Sequence, residues 1–578
     1  MRKQIIRALS LVVFLSAQNC LSDEVPRFAD KVFLNGDIIT LDKLKGTAEA
    51  VATRKGLINA VGSNVDLRKL IGPKTQVIDL QAQTLVPGFI DAHSHFNHAL
   101  TMATWANVSP PPVGKAASID ALISILKQHW KTTKPHPKDS WLLAYGYDEN
   151  TYGRHLTRHD LDAHFPDVPV TLMHVSGHGA VLNSAALTAM NIDAQTPTPK
   201  GGLIARLAGS QEPAGLLMET AWIPLLHKFL AMSLENYDSS FTMAVNRYLR
   251  NGFTTIQDGS AQYSDIKRYQ EQAAAHKLPI DLMALPIFID QEKVFADPSL
   301  LPRQVKNRLK IAGIKLIADG SPQGKTAYFT QAFHVLSPAG EENWHGEPLL
   351  PYEKLRELFS AASTRGWQIY THANGDAAID MVIKIHRQAA ISASDGRRNV
   401  VIHSQFVRED QLDAYVELGM IPSYFSNHAY FWGDAHTKNL GSERANFLSP
   451  MRTSIDKGLR FTNHSDYIIT PLDPMMQMWT AVSRKSREGK VIGAKESITA
   501  MQALSAITID AAYQYFEEDK KGSIEVGKLA DFTILSDNPL KVPLDEIREI
   551  EIVATIKEGL ELYRAPQTGK LVKATPIN

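Results

Sequence analysis

Between residues 85 and 464 the chain repeats one pattern, a short apolar run followed by an amphipathic stretch. Candidate strands fall at 85–92, 253–258 (FTTIQD), 280–288, 310–318 (KIAGIKLIA), 367–372 (WQIYTH), 399–403 (NVVIH), 419–424 and 459–464. Apolar runs of this length, bounded by turn signals, read as strands buried on both faces. Alternation with helical stretches then calls for a parallel sheet covered by helices. Eight such strands predict an α/β fold, a (β/α)8 TIM barrel. The first connection breaks the rhythm, since well over a hundred residues separate the first two runs. Most of 100–240 is therefore expected to be a large insertion over the barrel mouth.

The two ends have a different texture. KVFLNGDIITL and TQVIDLQAQTLV near the start, and GKLADFTILSDNP and IEIVATIKEGLELYR near the end, are short strand-like runs cut by turn residues. They predict one small β-sandwich built from both chain ends, 23–86 and 521–578, around a barrel spanning 87–520. Residues 1–22 read as a signal peptide. Arg2, Lys3 and Arg7 precede an apolar run too short to span a bilayer, so a periplasmic or secreted location is expected. Cys20 is the single cysteine, which excludes an intramolecular disulfide and a cysteine-rich zinc site. Membrane attachment would require lipidation at Cys20, and Ala17-Gln18-Asn19 lacks the small residue usual just before such a cysteine. With 61 basic and 61 acidic residues, bulk charge gives no ground for a nucleic-acid partner. A homo-oligomer is compatible with the sequence.

The chemistry begins at PGFIDAHSHF (87–96). In an extended chain Asp91, His93 and His95 share a face, and two imidazoles at the end of a buried strand suit a cation. Lys315 lies inside the 310–318 run, His372 and His403 end their runs, and Asp466 follows the last one. In a barrel of this kind the carboxyl ends of the strands form the active face, so these distant residues can converge. A lone histidine is more often a satisfied core residue; the joint pattern points to a metal centre. Imidazole and carboxylate ligands suit Zn2+, one or two ions per chain. Lys315 would be costly as a buried ammonium. It either pairs with Asp319 or Asp258, ligates directly, or becomes neutral and captures CO2. A carbamate, the preferred reading, could bridge two cations.

These segments, together with GFTTIQDG (252–259), IKLIADGS (314–321), THANGDAAID (371–380), VIHSQ (401–405), HSD (464–466) and GKLADFTIL (527–535), give a chain that resembles the amidohydrolase superfamily. Within it, the resemblance is to amidohydrolase family 3, which includes N-substituted formamide deformylases. The resemblance implies that His93 and His95 hold one metal and His372 and His403 a second. Lys315 would bridge them as an N-carboxylated lysine, with Asp466 near the first metal. Where relatives usually carry Gly-Ser-Asp, this chain has Asn463-His464-Ser465-Asp466; His464 either adds a titratable group beside the proposed base or, as strand alternation favours, points away from the site. HVSGHGAVLNSAAL (174–187) resembles the segment that places a histidine over the metals. His178 is thus a candidate for holding the substrate carbonyl, or else caps the turn between Gly177 and Gly179. SYFSNHAYFWGDAH (423–436) offers His428 and Trp432 as substrate contacts, or is simply loop packing.

The expected reaction is hydrolysis of a non-peptide, amide-type C–N bond in a small molecule. Metal-bound hydroxide would attack the carbonyl, and Asp466 would move the water proton to the leaving nitrogen. An esterase or lactonase on the same site is the rival enzyme. A non-catalytic ligand-binding protein is disfavoured by the presence of Asp466.

Overall fold

The computed structural model describes residues 28–566, apart from 45, 112, 134–135, 137–139 and 233–236. The signal-like segment and Cys20 lie outside the described residues. Two sheets occupy the centre. One runs Phe89–Ile90, Phe253–Ala261, Asp281–Pro286 and Leu309–Ile311, all parallel, with the short antiparallel strand Val305–Lys306 at its edge. The other runs Ile314–Ile317, Ile369–Ala373, Val400–His403, Ile421–Tyr424 and Thr462–Asn463 in chain order, again all parallel. A parallel bridge between Ile287 and Lys315 joins the two sheets on one side. On the other side the Asp466 N–H donates to His93 O (3.2 Å) and the His95 N–H to Tyr467 O (2.8 Å).

The expected 310–318 strand is thus interrupted at Ala312-Gly313. A side chain at Gly313 would run into the carbonyl of Gln368 and the ring of Tyr370. Helices Tyr352–Ser363, Asp376–Gln388 and Glu409–Leu418 follow successive strands. They bury Leu355, Phe359, Ile379, Val382, Leu412 and Tyr415 against the sheet. Each such side chain contributes about 1.5–3 kcal/mol by leaving water.

The expected 85–92 strand is two strands. Thr84–Pro87 pairs with Phe532–Leu535 in a six-stranded sheet made by both chain ends, whereas Phe89–Ile90 belongs to the central sheet. Gly88 makes the change of partner, packed where a Cβ would collide with Thr254. That end sheet and a four-stranded sheet from the N-terminal part share one core, including Phe33, Val51, Leu85, Phe532 and Ile556. Asp281, Lys521, Lys557 and Asp531 are buried together where the central sheet meets the end sheet.

Residues 106–219 form a separate six-stranded mixed sheet with its own core around Leu122, Leu126, Leu172 and Val181. Among the described residues, no helix is long and apolar enough to cross a membrane.

Candidate metal centre

Because the first central strand stops at Ile90, alternation does not govern the residues after it. Asp91 turns to Ser94, with which it makes a very short hydrogen bond, and takes no place among the ligands. His93 and His95 do converge, with Asp466. One donor atom from each lies within 4.8 Å of the others.

For His93 and His372 the second ring nitrogen sets the tautomer. His93 Nδ1 is 2.6 Å from Gln257 Oε1, an oxygen that can only accept, so Nδ1 carries the proton. The bare Nε2 faces Asp466 Oδ1 at 3.4 Å and Lys315 Nζ at 3.4 Å. His95 stacks on His98 (centroids 4.6 Å apart) and brings Nε2 to 3.2 Å from the same Asp466 oxygen. Across the site, His372 Nε2 is 3.1 Å from the Gly320 carbonyl, which again can only accept, leaving Nδ1 bare. That Nδ1 lies 3.1 Å from His403 Nε2, which is 4.0 Å from Asp466 Oδ2.

The fit to a cation rests on two observations. Asp466 Oδ1 is buried without a hydrogen-bond partner, which would be costly unless something positive completes it. The separations of 3.1–3.4 Å between neighbouring donor atoms are also edges of a coordination shell with bonds of about 2.0–2.2 Å. Backbone strain aims two of these side chains. His403 (φ 74°) and Asp466 (φ 50°) sit in the left-handed region, uncommon for residues with a Cβ. Such strain persists where the surroundings over-determine it, above all at functional sites.

Lys315 is fully buried, and burial lowers its pKa to about 7 against an opposing pull from Asp466. Neither expected partner holds it. Asp319 accepts the backbone N–H groups of Tyr328, Asn374 and Gly375, and Asp258 accepts the Tyr269 hydroxyl. Burial would raise the Asp466 pKa, but His95, His464 and Lys315 beside it outweigh that and the net shift is downward. His178 lies over the site, its ring 4.9 Å from that of His372, with Nδ1 2.9 Å from Glu219 Oε2. Burial would lower the His178 pKa, but Glu219 outweighs it and the net shift is upward.

A model of the amidohydrolase family matches residues 76–563. The chain belongs to the amidohydrolase family. It is a hydrolase acting on carbon–nitrogen bonds. It is 28% identical over 546 residues to the N-substituted formamide deformylase of Arthrobacter pascens, covering 92% of this chain and 98% of that protein. It is 29% identical over 550 residues to the protein LONG AFTER FAR-RED 3 of Arabidopsis thaliana, covering 93% and 92%. An uncharacterized metal-dependent hydrolase from Pyrococcus horikoshii OT3 shares the fold, with a TM-score of 0.69 at 22% identity, over 89% of this chain and 99% of that one.

In this amidohydrolase a cleft with a free volume of ≈ 70 Å³ opens onto Lys315, His372, His403, Asp466 and His178. His428 and Trp432 do not line it. They belong to helix Asn427–Leu440, where His428 Nδ1 meets His436 Nε2 at 3.0 Å and the Trp432 indole faces Asp148 Oδ2 at 3.4 Å. The aromatics of 423–436 pack against one another and Ile469, as the loop-packing alternative has it. His464 also departs from expectation. Its strand is only two residues long, so alternation gives no direction, and its Nε2 lies 3.1 Å from His403 Nδ1. Sequence reasoning passed over His98 and His227, which line the cleft, and Gln257 and Glu219, which orient His93 and His178. His98 alone carried a signal, lying three residues after His95, one turn along the helix Phe96–Thr101.

Proposed function

We propose that this amidohydrolase is an exported enzyme that removes a small acyl group, formyl above all, from an uncharged N-substituted amide. The observation that carries the reading is the Asp466 carboxylate, set with Oδ1 3.4 Å from His93 Nε2 and 3.2 Å from His95 Nε2 at the floor of the cleft. Ile223, Leu226, Ile287, Ile317 and Ile469 on the walls favour an apolar nitrogen substituent. The deformylase name of the Arthrobacter relative supports the same class.

His93, His95, Asp466, His372 and His403 would hold one or two zinc ions, with Lys315 between them. The cation supplies Lewis acidity, polarising the carbonyl and making water a competent nucleophile at neutral pH. Asp466 accepts the proton of the attacking water and delivers it to the leaving nitrogen, which departs as a neutral amine. His178, favoured as the imidazolium by Glu219, donates Nδ1–H to that carboxylate and Nε2–H to the carbonyl oxygen as negative charge develops there. The neutral amine of Lys315 adds CO2 to give a carbamate and a released proton. The cross-sheet hydrogen bonds at His93 and Asp466 support reading the two central sheets as one closed eight-stranded barrel, and the shared core of the end sheets supports a sandwich. The basic, then apolar, N-terminus supports export.

The test is a panel of N-substituted formamides, the matching acetamides and formate esters, assayed with zinc-loaded protein. The reading expects formamides with apolar substituents to give the highest kcat/KM. No amide turnover with metal in place, or a large excess for esters, would overturn it.

A further inference from the structure

His464 is fully buried against His403, and what it contacts gives it a task. We propose that His464 is a positioning residue that fixes the tautomer of the metal ligand His403 through a one-way hydrogen-bond relay anchored on the peptide carbonyl of Ala92. The inference rests on the proposed metal centre and not on the choice of substrate.

The direction of each bond can be worked out from the anchored end. Ala92 O can only accept, so the Gln514 side-chain nitrogen, 2.9 Å away, points at it, and Gln514 Oε1 faces the other way. Thr462 Oγ1 lies 2.8 Å from Gln514 Oε1 and 2.8 Å from Ser423 Oγ. One hydroxyl proton cannot serve both, and the carboxamide oxygen has none to give. The Thr462 proton therefore goes to Gln514, and Ser423 donates to Thr462. With its own proton committed, Ser423 Oγ accepts from His464 Nδ1 at 3.0 Å. The neutral imidazole is then bare at Nε2, which accepts the Nδ1 proton of His403 at 3.1 Å. His403 is left with a lone pair on Nε2, the atom that faces His372 Nδ1.

His464, Ser423, Thr462 and Gln514 are all fully buried, so no water competes for these protons. The links come from separate elements: the strands Ile421–Tyr424 and Thr462–Asn463, the helix Ile509–Gln514, and the segment after Phe89–Ile90. Reversing the relay would put the proton on His403 Nε2 and block ligation. Partners that orient a metal-bound imidazole are commonly worth 10–100-fold in metal affinity.

Zinc affinity and stoichiometry, measured by chelator competition without substrate, test this. His464→Leu removes the acceptor and is expected to weaken zinc at the His372/His403 half by about 10–100-fold. His464→Gln, whose carboxamide oxygen can take the His403 proton, is expected to stay within about threefold of the native protein. Ser423→Ala, a smaller change one link away, is expected to weaken zinc several-fold even if the leucine variant does not fold. In a His403→Ala background the His464→Leu substitution should have no further effect. Native affinity in Ser423→Ala and His464→Leu, equal losses in the leucine and glutamine variants, or a loss that persists without His403 would each overturn the relay. Because turnover is not read, the outcome is independent of which amide the enzyme prefers.

Discussion

Replacing Lys315 by methionine should make the metal-free protein less dependent on pH in the alkaline range. An unfolded lysine titrates near ~10.4. In the folded chain, burial among Ile314, Leu316 and Ile317 lowers Lys315 to about 7. Between those values the unfolded state binds one more proton than the folded one, so stability rises with pH. The burial penalty is full below the folded value, shrinks through the window and is gone above the unfolded value. One proton corresponds to about 1.4 kcal/mol per pH unit, so the native protein should gain about 4 kcal/mol from pH 7 to pH 10 relative to Lys315→Met. The neighbouring histidines do not blur the comparison, because burial and mutual repulsion put His93, His372, His403 and His464 well below the usual imidazole range. The assay is guanidinium unfolding of both proteins at several pH values, stripped of metal and in bicarbonate-free buffer. At pH 7 the variant should be the more stable of the two, while losing zinc. Parallel pH curves would mean that the folded lysine keeps an ordinary pKa, and the case for a neutral amine that captures CO2 would fail.

Asp466→Asn keeps a ligand oxygen but not a base; kcat on a formamide should fall by about 100- to 10,000-fold while zinc content, measured by elemental analysis, stays near native. Gly259→Ala should lower zinc content sharply with little loss of secondary structure by circular dichroism, because the added Cβ would overlap the His93 ring. Asp281→Ala strands Lys521, whose next acidic neighbour, Glu517, is 3.9 Å away, and should cost about 3–5 kcal/mol in a denaturation experiment. Burial would raise the Asp281 pKa, but Lys521 and Lys557 pull it below the usual carboxylate range. Its stabilisation is therefore present above about pH 4 and fades as pH falls through the folded value, so the variant should be less sensitive to acid than the native protein.

The central strands were legible because each is a continuous apolar run, and a strand buried on both faces needs little else. The convergence of His93, His95 and Asp466 was legible because His and Asp at the ends of such runs are expensive unless they have work to do. The breaks within runs were not. LVPGFI is one apolar stretch, and nothing in its composition says that hydrogen-bond partners change at Gly88, where Pro87 still faces Phe532 and Phe89 faces Phe253. The aromatic density of 423–436 was equally ambiguous, since tyrosine, phenylalanine and tryptophan line clefts and fill cores alike, and here they fill a core.

The failure at His464 has a different cause. Face prediction assumes that the chain stays extended, and around this site it does not. His403, Ser404 and Asp466 all take positive φ without being glycine, at a cost of about 1–3 kcal/mol each. The same departures bring His403 Nε2 and Asp466 Oδ2 within 4.0 Å and turn His464 against His403 instead of away from it. A sequence rule built on relaxed backbone must misplace side chains where strain is held by the surroundings, and a ligand shell is such a place. The strain and the buried, unpartnered Asp466 oxygen lean the same way: both are tolerable in a folded chain that closes around a cation, and both would be selected against in one that did not.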